Sequence, residues 1–232
     1  MEKEKETEVV LLYKEFCEKW NISYLLHSSE IRGKRRNFQW LKMHPNQKGF
    51  FEDLNKFLTE IAVLGFGVVV SRPGYNKRYT EKYGNTKWEL CRTTYPILIE
   101  RVVRYLLGLG EEFKLKVIFE GASGDENRKI VEYAQLLKTE GPPFAKTDSD
   151  KYSPLTTDVY QKVISGRPKP GTKSNLFLQI ADLYIYPMAK FKYDSSYLPW
   201  HILYKSVRII DAITEPEKLC QNGIKYYCFS VE

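Results

Sequence analysis

Cysteine is scarce in this 232-residue sequence, which has only Cys17, Cys91, Cys220 and Cys228 and no CxxC pair. Histidine is scarcer still, with His27, His44 and His201 far apart. These shortages argue against a structural zinc site, which needs closely spaced Cys or His ligands, and against a disulfide framework. A long apolar run is also missing. The longest, residues 61–70, contains Gly65 and Gly67 and is too short to span a bilayer. The opening MEKEKETEVV is charged where a secretory leader would be apolar. A reducing, cytoplasmic setting without membrane contact is the expectation. There is no internal repeat and no low-complexity segment, which argues against a solenoid or a disordered tether.

What is present is a core-forming composition with a basic excess. Apolar residues make up 43% of the chain, enough for one large α/β domain, and 36 Lys and Arg against 29 Asp and Glu leave a formal charge of +7. That excess favours an anionic partner, nucleic acid first. The expected organisation is a single domain over residues 1–232 with an insertion around 72–95.

Periodicity outlines the elements. Val9, Leu12, Tyr13, Phe16 and Trp20 recur at helical spacing and predict an amphipathic helix ending near Asn21. Residues 22–26 read as a strand or an extended approach to His27-Ser28-Ser29-Glu30, where Ser28 or Ser29 could cap the helix that Glu30 enters. Phe50, Leu54, Phe57, Leu58 and Ile61 predict a second helix closed by Gly65, after which GFGVVVS reads as a strand. Arg72-Pro73-Gly74 marks a turn into a Lys- and Tyr-rich loop. Pro96 is expected at a helix start, and FKLKVIF (113–119) is the clearest strand. Residues 159–164 read as another strand, 176–191 as an apolar helix, and IKYYCFSV as an edge strand.

Two acids stand in apolar surroundings. Glu120 ends the clearest strand and Asp182 lies between Ala181 and Leu183 on the apolar helix. Buried carboxylates are rare unless paired or bound to metal, and sites in α/β sheets gather at the carboxyl ends of strands. Converging carboxylates would need a hard divalent cation, Mg2+ or Mn2+, which in turn suits phosphodiester hydrolysis. The plainer readings stay open: Asp182 facing solvent or an arginine, and Glu120 capping a helix. The run RGKRRNFQWLK sets Arg32, Lys34, Arg35 and Arg36 beside Phe38 and Trp40. It reads either as a phosphate-contacting and base-stacking surface or as a basic loop anchored by its aromatics. GRPKPGTK, 166–173, is a second basic loop.

Three ordered blocks carry a resemblance to a known family. The stretch 178–189, LQIADLYIYPMA, resembles the closing motif LQxADLxxYPxA of the domain-of-unknown-function family 3800. His27-Ser28-Ser29-Glu30-Ile31-Arg32 resembles that family's His-Ser-acid-Ile-Arg block, and the strand ending at Glu120 with its acidic turn resembles a third. Lys173 and Asn175 match the lysine and asparagine before the closing motif, at a spacing one residue shorter. The resemblance covers residues 22–205. It implies an α/β, RNase-H-like mixed sheet flanked by helices and a predicted nuclease activity. Glu30, Glu120 and Asp182 would then be catalytic and metal-binding acids, with Asp125 and Glu126 as auxiliaries. His27, Arg32, Lys34, Arg35, Arg36, Lys173, Asn175 and Gln179 would contact nucleic acid.

The departure from the family is the amino-terminal strand with its Asp-Glu-Ser-Gly motif, which has no counterpart here. A start placed too far downstream, a divergent sheet closed by another element or subunit, or a protein kept for binding after loss of catalysis would each account for it. The expectations are therefore a metal-dependent nuclease-like protein or, as the alternative, a catalytically impaired RNase-H-like module that binds nucleic acid or a protein. A homo-oligomer or a partner completing the sheet goes with either.

Overall fold

A computed structural model describes residues 3–83, 90–110, 112–143 and 153–229. In chain order the elements are α1 (Lys3–Lys19), α2 (Ser28–Gly33), α3 (Gln47–Glu60), β1 (Val68–Val70), α4 (Arg72–Tyr83), α5 (Leu90–Gly108), β2 (Ile118–Glu120), α6 (Gly124–Thr139), α7 (Thr157–Val163), β3 (Lys169–Gly171), α8 (Leu176–Phe191), α9 (Leu198–Lys205), α10 (Leu219–Asn222) and β4 (Lys225–Tyr227). A 3-10 segment, Arg36–Lys42, follows α2. The fold is mixed α/β and mostly helical. The chain divides into two compact units, one of Met1–Gly65 with Thr172–Ile213 and one of Phe66–Gly171 with Thr214–Glu232.

The first unit is helical. Phe50, Leu54, Phe57 and Leu58 recur at helical spacing on α3, and all four are buried. Phe16 of α1 stacks on Phe57 at 5.4 Å between ring centroids and tilts against Phe50 at 5.7 Å. The carboxyl end of α3 leaves carbonyls without helical partners, and two side chains supply them. Tyr184 of α8 donates its hydroxyl to Leu58 O at 2.6 Å, and Arg208 Nε donates to Thr59 O at 2.6 Å. Helix α3 stops at Glu60, before Gly65. Gly65 has a different task, a parallel bridge to Ile209, where an added Cβ would come within 2.9 Å of the Tyr184 ring.

The second unit holds the strands. β1 pairs in parallel with β4, Val69 opposite Tyr226, and β2 pairs in parallel with β3, Ile118 opposite Lys169. The described strands thus form two two-stranded parallel ladders, where a single mixed sheet was expected. Its core is Ile99 and Val103 of α5, Leu137 of α6, and Tyr160, Val163 and Ile164. The alternation read from FKLKVIF is present: Lys114, Lys116, Ile118 and Glu120 are exposed, while Leu115, Val117 and Phe119 are partly covered.

Three local expectations change. Residues 157–163, read partly as a strand, form helix α7, because Val159, Tyr160, Val163 and Ile164 also fit one helical face. The stretch 72–83 is helix α4, with Pro73 tolerated in the first turn and Tyr75 stacked on Tyr79 at 4.3 Å. Residues 84–89, within the expected insertion, lie outside the described residues. Pro96 sits inside α5, which begins at Leu90 and already buries Thr93 one turn earlier.

Candidate functional site

The site is built in the first unit from one face of α8 and the segment 26–32. Gln179, Asp182 and Tyr186 are spaced three and four residues apart, so they share a face of the helix. Asn175 caps that helix, its Oδ1 accepting from Phe177 N at 3.0 Å. Each of the three side chains then fixes one part of the segment.

Gln179 is 2% exposed and fully engaged. Its Oε1 accepts from Leu26 N and from the Tyr13 hydroxyl, both at 2.7 Å, and its Nε2 donates to Lys173 O at 2.6 Å. Burial pushes the Tyr13 phenol above its ordinary range, which keeps it a donor. Buried polar groups must be satisfied, so this amide fixes where both 26–28 and Lys173 lie.

Asp182 is the centre. Its Oδ2 accepts from Ser28 N at 2.9 Å and from Lys173 Nζ at 2.8 Å, and it lies 3.3 Å from His27 Nδ1. Helix α2 has His27 at its N-cap with no side-chain cap of its own. Asp182 therefore takes the capping role expected of Ser28 or Ser29, reaching across from α8 to satisfy the first N–H of α2. His27 Nδ1 is also 3.2 Å from Ser29 Oγ. The same ring nitrogen faces both the carboxylate and the hydroxyl, so these three do not form a nucleophile relay, which needs one nitrogen for each.

Tyr186 carries Arg32. The guanidinium carbon lies 3.2 Å from the ring centroid, and Arg32 Nε donates to Ser28 Oγ at 3.2 Å. Tyr197 meets the far part of this arrangement, edge-on to Tyr186 at 5.8 Å. Tyr13 was read as part of an apolar stripe and Tyr186 as part of the closing motif, neither as a site residue. The usable signal was spacing, since Tyr186 follows Asp182 by one turn as Arg32 follows Ser28.

Most of the remaining candidates are held by other partners. Glu30 is buried and bonded by Arg36 Nη1 at 3.2 Å, while Lys34 donates to Gln47 Oε1 at 2.9 Å and Arg35 is exposed at the start of the 3-10 segment. Phe38 is fully buried, and Trp40 donates to the Tyr24 hydroxyl at 2.7 Å and packs its ring on Trp20 and Phe50, so both anchor the basic loop. Asn175 is occupied as a cap. Glu120 belongs to the second unit, exposed at the end of β2. Glu126 is the reciprocal member of a capping box with Ser123, and Asp125 pairs with Arg128 at 2.7 Å, which explains both acids by the start of α6. Among the described residues no group of three or more His, Cys, Asp or Glu side chains is placed to hold a metal ion. Glu30 and Asp182 offer the hard oxygen that Mg2+ or Mn2+ takes, and each is already engaged by a cation of the chain, Arg36 or Lys173.

The chain is 31% identical over 218 residues to a protein of Sinorhizobium fredii described as uncharacterized protein y4pM, a match covering 93% of this chain and 77% of the relative. No protein-family model matches the chain, and no solved structure matches it. Among the described residues no helix is long and apolar enough to cross a membrane.

Proposed function

We propose that this chain, which belongs to the same family as the uncharacterized protein y4pM, is a nuclease-like protein of RNase-H-like architecture acting on nucleic-acid phosphodiesters. The observation that carries this is the meeting of His27, Arg32, Lys173, Gln179 and Asp182, drawn from two stretches far apart in sequence, in one bonded cluster. Two cationic side chains, Arg32 and Lys173, suit a phosphate backbone, and the imidazole of His27 beside Asp182 suits proton transfer. The carboxylate orients the ring through Nδ1.

Metal dependence belongs to the same proposal, with Glu30 and Asp182 of the first unit as the carboxylates that would hold Mg2+ or Mn2+. Cleavage of single- and double-stranded DNA and RNA, measured with Mg2+, Mn2+ or a chelator, tests the reading. Metal-dependent cleavage that is lost in Asp182→Ala is the expected result. Intact substrates under every condition would defeat the hydrolytic reading.

A second reading, binding without cleavage, draws on a specific feature. Asp182 Oδ2 is already engaged by Lys173 and Ser28, and Glu30 by Arg36. Under this reading nucleic acid binds with a steep salt dependence, no metal requirement and no product.

A further inference from the structure

We propose that Arg32 is an oxyanion subsite for a backbone phosphate, with Tyr186 as its positioning residue; the inference rests on the nucleic-acid reading above and adds the group that makes the contact. An exposed arginine ordinarily samples many rotamers and loses that freedom when it binds. Here the side chain is held at two points. Its guanidinium carbon lies 3.2 Å from the Tyr186 ring centroid, and its Nε is committed to Ser28 Oγ at 3.2 Å. Among the described residues neither Nη group has a hydrogen-bond partner, although Arg32 itself is exposed. What remains on offer is the Nη edge of the guanidinium, four N–H donors in a fixed fork that matches two oxygens of a phosphate.

The surroundings favour phosphate over an isolated carboxylate. Ser28 bonds Arg32 through its hydroxyl and Asp182 through its N–H, and Asp182 in turn holds Lys173. Arg32 and Lys173 thus belong to one bonded chain containing two cations and one carboxylate, in a molecule of formal charge +7. Tyr186 reaches this position because it lies one turn beyond Asp182 on α8, and Tyr197, packed edge-on at 5.8 Å, restrains its ring. The hydroxyl of Tyr186 plays no part in the stacking, so phenylalanine should serve as well.

The test uses the full chain and two probes. The first is anisotropy of fluorescein-labelled single- and double-stranded DNA and RNA across a KCl series, for wild type, Arg32→Ala, Tyr186→Leu, Tyr186→Phe and the Arg32→Ala/Tyr186→Leu double variant. Arg32→Ala and Tyr186→Leu should each weaken binding by about tenfold and flatten the salt slope by somewhat under one unit, with the double variant no weaker than either. Tyr186→Phe should match wild type. The second probe is inorganic phosphate, followed through the Arg32 Nε–Hε NMR signal, which should shift saturably in wild type and Tyr186→Phe and not in Tyr186→Leu.

Unchanged affinity and slope in Arg32→Ala would overturn the subsite. A folded Tyr186→Leu protein with wild-type affinity and phosphate response would overturn the positioning role. If Tyr186→Leu does not fold, Arg32→Lys keeps the charge on the native ring while removing the fork; several-fold weaker binding supports the proposal and wild-type binding overturns it. A wild-type protein that binds none of the polymers would sink the nucleic-acid reading alone. The phosphate titration still decides the subsite, upheld by a saturable shift and overturned by none.

Discussion

The residue on which most depends is Asp182, a single carboxylate oxygen serving a lysine, a helix N-terminus and a neighbouring imidazole. The Lys173 side chain is only 11% exposed, so its ammonium has lost much of its water. Asp182→Asn keeps the volume and removes the charge, and is expected to cost about 1–3 kcal/mol in urea unfolding. Adding Lys173→Met should recover part of that loss, since the charge left behind is removed as well; a double-mutant cycle with additive losses would refute the coupling. Gln179→Leu is a parallel case. It would strip an acceptor from Leu26 N in a fully buried position, with an expected loss of about 1–3 kcal/mol on the same assay. In the sequence Asp182 stood out as an acid on an apolar helix, and Gln179 through the resemblance of the motif that holds both. The sequence did not disclose the backbone partners Leu26 and Ser28, 153 and 154 positions away.

At the scale of elements, amphipathic helices were the most legible part. The stripes on α1 and α3 are where periodicity put them, because a helix written at 3.6 residues per turn carries its buried face in local sequence. Short strands were less legible. β2 is three residues long within a seven-residue pattern, since a ladder extends only as far as its parallel partner β3 follows it. Two acids next to Glu120 were read toward the site and belong to a helix start instead. This has a direct consequence: Ser123→Ala should lower stability by about 1 kcal/mol through loss of the α6 cap, and leave nucleic-acid affinity unchanged. Calorimetric unfolding beside anisotropy checks both halves, and a drop in affinity would return Asp125 and Glu126 to the site.

Across the whole molecule, buried tyrosines in both units bind stability to alkaline pH. Burial pushes the Tyr75 phenol up to about 12, and burial likewise raises Tyr13, Tyr95, Tyr160, Tyr184 and Tyr227 above the ordinary range. A group whose folded pKa is raised holds its proton more tightly in the native state. Its contribution is therefore complete below the unfolded value of 10 and is lost as pH rises through 10 toward 12. Unfolding free energy should be insensitive to these groups below pH 10 and fall steeply above it, with the last part of the tyrosinate absorbance, that of the buried phenols, rising only as the fold is lost. Tyrosinate absorbance that rises fully while near-UV circular dichroism stays native would contradict this.

The sequence by itself determined the helical faces, the basic balance, and the identity of the polar residues set into an apolar helix. Those properties are local: composition and spacing carry them without reference to a fold. Only the tertiary structure decided that Asp182 caps α2 from a distant helix, that Phe38 and Trp40 are anchors, that Glu30 turns to Arg36, and that Tyr186 carries Arg32. Hydrogen bonds and ring contacts between segments depend on positions fixed by packing. No spacing within either segment could reveal which cation would meet which carboxylate.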